Sequence, residues 1–112
     1  MPEPKPDRRR KYPRIRVPKG MFFGWKSPGH HTVSSAHDLG LGGVFLFTPS
    51  PAAIGATIEL IFDVANGEVR ARAVVRRVGT APAHGMGIEF IAMNPEDRAR
   101  LSHMLTPLLA SN

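Results

Sequence analysis

Ile58, Leu60, Phe62 and Val64 alternate with Glu59, Ile61 and Asp63, and after Asn66-Gly67 the alternation resumes at Val69, Ala71, Ala73 and Val75. A period of two puts each apolar set on one face, and Asn-Gly tolerates positive φ at both centres of a tight turn, so the stretch predicts a β-hairpin. The other face of its second strand carries Arg70, Arg72, Val74 and Arg76, which makes that face basic and partly wet. Met21–Trp25 and Thr32–Ala36 flank the Ser27-Pro28-Gly29 turn signal and predict a further pair of strands. Val44–Thr48 is a short apolar run that stops at Pro49-Ser50-Pro51, as a buried strand would. In Met86–Ile91 the residues Met86, Ile88 and Phe90 share one side and Glu89 points the other way.

One helix closes the chain. Asn94 is a good N-cap, Pro95 suits the first helical position, and Glu96 with Asp97 put negative charge at the positive end of the helix dipole. Leu101, Met104, Leu105 and Leu108 form an apolar stripe at helical spacing. Pro107 predicts an end or kink near Thr106, so the helix is expected over 95–106. Many short antiparallel strands in so small a chain point to a small barrel or sandwich, with the helix capping one opening.

A length of 112 residues suits one domain, here 9–112, preceded by an extended, mobile leader at 1–8 where proline alternates with charge. An apolar fraction of 42% supports a packed core, and 21% charged residues keep the exterior soluble. No apolar run approaches the roughly 20 residues that span a bilayer, and Met1-Pro2-Glu3-Pro4 is unlike a signal peptide, so the expected compartment is the cytoplasm. The absence of cysteine excludes disulfides, thiolate metal sites and cysteine nucleophiles.

The net charge of +6 is uneven: residues 1–16 hold seven cationic side chains against two acidic ones, leaving the body nearly neutral. A duplex-binding surface spreads its charge along a phosphate track, whereas one short cluster matches a small anion or a local acidic patch. Taken alone, the cluster also reads as a solvated basic tail. Its core is Arg10-Lys11-Tyr12-Pro13-Arg14, and the chain later carries Asp38-Leu39-Gly40-Leu41-Gly42-Gly43, a carboxylate-bearing glycine turn. Together the two segments suit a small, anionic, guanine-bearing ligand. Asp38 has the plainer alternative of capping a turn through its own backbone.

Other chemistries are poorly served. Gly40–Gly43 is followed by a strand pattern, not by the helix that a dinucleotide loop requires. His30 and His31 would face opposite sides of a strand, and His37, His84 and His103 share no ligand spacing with them. His37-Asp38 lacks a nucleophile and an orienting third group. Trp25 and the phenylalanines are most simply core or barrel-surface residues.

Arg9-Arg10-Lys11-Tyr12-Pro13-Arg14, Asp38–Leu46, Gly85–Phe90 and Asn94–Arg98, in this order and spacing, resemble a PilZ domain over roughly residues 8–106. The resemblance implies a six-stranded antiparallel β-barrel with a C-terminal helix, and a bacterial receptor for the second messenger cyclic di-GMP. The family's paired arginines, separated by three residues, match Arg10 and Arg14. Its second element, Asp or Asn, any residue, Ser, any two, Gly, matches Asp38 and Gly43, but Gly40 stands at the serine position. Losing that hydroxyl removes one hydrogen bond, about 0.5 to 1.5 kcal/mol.

The ligand residues implied are therefore Arg10, Arg14, Asp38 and Gly43, with Arg9, Gly40 and Arg76 as further candidates. Arginine forks suit phosphate or guanine O6 and N7, Asp38 suits the guanine N1 and N2 donors, Gly43 permits the turn, and Arg76 is placed to stack on a purine. The expected protein is a non-enzymatic receptor without metal or other cofactor. Its arginine segment folds over the nucleotide and alters a surface seen by an unidentified downstream protein. Two alternatives stand beside this: a PilZ-like interaction module that has lost the nucleotide, and single-stranded nucleic-acid binding by a small basic barrel.

Overall fold

The expected hairpin lies at the centre of the sheet: in the computed structural model, which describes residues 12–79 and 84–110, Thr57–Val64 pairs antiparallel with Gly67–Gly79. Its turn is Ala65-Asn66, and Gly67, at φ 141°, opens the second strand rather than sitting in the turn. The chain runs β1 (Arg14–Arg16), β2 (Phe23–Ser27), β3 (His30–Ser34), β4 (Ala36–Gly40), β5 (Gly43–Phe47), β6 (Thr57–Val64), β7 (Gly67–Gly79), β8 (Gly85–Ala92) and α1 (Pro95–Ala110). All described strand pairs are antiparallel, in the order β1-β4-β5-β8-β7-β6-β2-β3.

This corrects the expected six-stranded closed barrel to an eight-stranded curled sheet, a half-barrel. The two additional strands come from segments whose polar or glycine-rich composition masks strand character. Arg14–Arg16 has only Ile15 pointing inward, and Ala36–Gly40 contains residues that by composition resemble a glycine turn. The leader at 1–8 and the candidates Arg9 and Arg10 lie outside the described residues.

The concave face holds the core, where Phe23, Trp25, Leu39, Val44, Leu46, Val69, Val75, Met86 and Leu101 are essentially excluded from solvent. Trp25 satisfies its indole N–H by donating to Ser34 Oγ at 3.0 Å, so the largest core side chain leaves no orphan donor. Helix α1 packs over β7, β1 and β6. Leu101 and Leu105 are buried, each removal from water contributing about 1.5–3 kcal/mol.

Asn94 caps the helix as expected, its Oδ1 accepting from the Asp97 N–H at 2.9 Å. Pro107 does not end it: α1 continues to Ala110. Proline deletes one backbone bond, but it is exposed, and Leu108 and Leu109 beyond it pack against the core and hold the last turn. Among the described residues, no helix is long and apolar enough to cross a membrane.

Candidate functional site

Ile15 is 4% exposed and faces the core beside Leu39, so the strand period turns its neighbours Arg14 and Arg16 outward. The pairing sets Arg14 opposite Gly40 and Arg16 opposite Asp38. Tyr12 steadies the approach to β1, its ring lying against Gly42 and under the Arg98 guanidinium of α1 at 5.3 Å. That is a cation–π contact between the start of the described chain and its final helix.

A β-bulge aims Asp38. Ala36 pairs with Leu46 and Leu39 with Val44, so β4 advances three residues while β5 advances two. The extra residue breaks the strict alternation of faces and is a common device for redirecting a side chain. Asp38 Oδ1 accepts from Arg14 Nη1 at 2.9 Å, with the two side chains only 17% and 18% exposed. His37 Nδ1 stands 3.7 Å from Asp38 Oδ2. Arg14 Nη2 reaches over Gly43, 3.2 Å from where a Cβ on that residue would be.

Arg14, Asp38 and Gly43, from three strands, thus meet at one point. Gly40 pairs with Arg14 across the strands. The Asp38–Gly43 segment is nevertheless no continuous turn: Asp38 and Gly40 belong to β4, Gly43 to β5, and only Leu41-Gly42 connects them. Neither Gly40 nor Gly43 adopts positive φ. What these positions require is space. A Cβ on Gly43 would run into the backbone carbonyl oxygen of Ile88, and one on Gly40 would stand 2.6 Å from the Pro13 carbonyl oxygen and 3.1 Å from Arg14 Cγ. The missing side chain at 40 lets β1 lie closer to β4 than a serine would allow.

Arg76 reaches the same outer face by a second bulge. Val75 pairs with Ile88 and Arg77 with Gly87, which leaves Arg76 as the additional residue and exposes two consecutive arginines. Arg76 Nε donates to Glu89 Oε1 at 2.6 Å, and Glu89 sits opposite Gly43. Arg76 is therefore paired with a carboxylate through the edge of its guanidinium. Arg77 crosses the bare backbone of Gly87 to lie over the Phe45 ring at 5.4 Å.

Sequence pattern does not mark Tyr12, Gly42, Glu89, Arg77 or Arg98 as site residues. The one signal is Tyr12-Pro13 inside the arginine cluster, an aromatic fixed by a restricted backbone. No group of three or more metal-ligating side chains occurs among the described residues.

The PilZ domain family model matches residues 8–106. A comparison with curated proteins finds no match. Among solved structures, the inhibitor of motility MotI from Bacillus subtilis superposes with a TM-score of 0.77 at 19% identity, covering 94% of this chain and 54% of that one. The K. pneumonia MrkH complex with cyclic di-GMP gives 0.75 at 22% identity, covering 93% and 54%. The PilZ domain of Escherichia coli YcgR with cyclic di-GMP gives 0.72 at 15% identity, covering 93% and 94%. The chain thus spans about half the length of MotI and MrkH and nearly all of the isolated YcgR domain. With the model match running from the arginine cluster into the final helix, and the fold shared with these structures, the chain belongs to the PilZ domain family.

Proposed function

We propose that this chain is a non-enzymatic cyclic di-GMP receptor whose ligand is held by Arg10, Arg14, Asp38 and Gly43, with Arg9, Gly40 and Arg76 at the margin. The observation that carries the reading is the convergence of Arg14 and Asp38 over Gly43, where two separated segments of the signature form one cationic and one anionic recognition group. The ion pair exhausts neither partner: a guanidinium has five N–H donors, and a carboxylate accepts at several lone pairs. Arg14 can therefore engage a phosphate or the guanine O6 and N7 while Asp38 accepts from guanine N1 and N2.

The reading gains support from family membership and from relatives solved with cyclic di-GMP. In this scheme Arg14 is seated before the ligand arrives, and closure is left to the residues preceding Tyr12, which bring Arg9 and Arg10 over the nucleotide. Their closure changes a surface read by a downstream protein in the cytoplasm. Gly40 favours a second reading, a PilZ-like interaction module without nucleotide, because the Pro13 carbonyl oxygen lies only 2.6 Å from where a serine Cβ would stand.

Titration calorimetry with cyclic di-GMP separates the two. Micromolar binding that is lost in Arg10→Ala supports the receptor, and no heat at tens of micromolar ligand leaves the interaction module.

A further inference from the structure

The loop from Val17 to Phe22, between β1 and β2, forms one wall of a pocket of about 300 Å³ whose other wall is β4 and the end of β5. The loop is shaped by Gly20, at φ 86°, and by the Met21 N–H donating to the Pro18 carbonyl at 3.4 Å. Val17 N–H also donates to the His37 carbonyl at 3.0 Å, tying the loop to β4. The pocket is therefore built before any partner arrives.

Its lining is chemically one-sided. Arg16 and Lys19 are exposed cations, His37 adds an imidazole, and no carboxylate lines the pocket among the described residues. The adjacent Asp38 is engaged by Arg14. Phe22 is 59% exposed and presents its ring at the pocket, where Met21 and Phe47 extend the apolar surface. Phe47 meets the His37 ring edge-on at 6.0 Å, giving the pocket an aromatic floor beside Met21. Aromatic, methionine and arginine side chains are enriched at protein interfaces, and the charges around them set the charge of the partner, here through Arg16 and Lys19.

We propose that this pocket docks an extended acidic segment of a partner protein, with one apolar side chain seated between Phe22 and Phe47 and carboxylates facing Arg16 and Lys19. Nucleic acid is the less suitable anion. A phosphate backbone needs a track of positive charge, whereas here two cations flank a small apolar recess. The pocket lies next to the Arg14–Asp38 pair but uses none of its groups, so the proposal stands independently of nucleotide binding.

The test is an NMR titration of the isotope-labelled full chain with a short synthetic peptide of aspartate and glutamate around a single leucine, and with its lysine-substituted counterpart. Saturable shifts confined to residues 16–22, 35–37 and 47 are expected for the acidic peptide alone. Lys19→Glu and Phe22→Ser, both at exposed positions that leave the core intact, should together weaken it by about tenfold while cyclic di-GMP heat is unchanged. Shifts on another face, equal binding of the lysine peptide, displacement by oligothymidylate, or undiminished affinity in the double variant overturns the proposal. Loss of nucleotide heat with peptide binding intact would count against the receptor reading alone.

Discussion

Arg14 Nη1 donates to Asp38 Oδ1 across 2.9 Å, closing a contact between residues 24 apart in sequence. The geometry follows from two local facts: Ile15 faces the core and thereby turns Arg14 outward, and the β4 bulge turns Asp38 to meet it. Arg14→Lys keeps the charge but loses the planar fork, so it separates point-charge attraction from bidentate recognition. The expected result is a protein with near-native melting temperature that binds cyclic di-GMP at least about tenfold more weakly, or ~1.4 kcal/mol. Unchanged affinity by calorimetry would show that Arg14 does not grip the ligand with its fork.

Restoring the family serine tests the strand spacing. In Gly40→Ser the new Cβ meets the Pro13 carbonyl, which is backbone and cannot swing aside as a side chain can. Relieving that contact requires β1 to move outward, carrying Arg14 away from Asp38. The variant should lose about 1–3 kcal/mol of stability in urea denaturation and gain no affinity for cyclic di-GMP. Tighter binding at full stability would mean that β1 yields easily and that the hydroxyl was the missing element.

Alternation makes the β6–β7 hairpin, β8 and the helix start legible, because each carries a whole face of apolar residues or a complete cap. The strands that pattern alone misses carry too little local signal. In β1 a single inward residue, Ile15, stands between two arginines, and β4 hides its period behind a bulge. Glycine composition points to conformational freedom at 40 and 43, yet the role of both residues is close approach, a property set by a neighbouring strand that no local window contains. Arg14, Asp38 and Gly43 are legible as a set through the family pattern. Glu89 and Tyr12 are not, because their partners Arg76 and Arg98 are distant in sequence and joined to them only by the fold.

Gly43 offers a sharper steric test than Gly40. Its Cα lies in the middle of the sheet, where β5 pairs with β8, and a methyl group there is blocked by the Ile88 carbonyl. Gly43→Ala must therefore push β5 and β8 apart at the residue beneath Arg14. A loss of about 2–3 kcal/mol or more is expected, with weaker amide protection across Val44–Leu46 and Met86–Ile88 in hydrogen exchange. A variant that keeps native stability would show that the pairing of Gly43 with Glu89 tolerates a wider gap.

Asp97 joins the helix to the sheet through β7. Only 7% exposed, it accepts from the Arg70 backbone N–H at 3.2 Å and from Arg100 Nη1 at 2.6 Å, while its own N–H is capped by Asn94. Asp97→Ala leaves the Arg70 N–H without its acceptor and takes the carboxylate from Arg100 Nη1, which keeps the Glu68 carbonyl at 3.2 Å, at a cost of about 1–3 kcal/mol. Asp97→Asn retains an acceptor oxygen and should recover part of that loss. Chemical denaturation of the two variants gives the comparison, and equal stability of alanine and wild type would show that burial of Leu101 and Leu105 alone seats the helix.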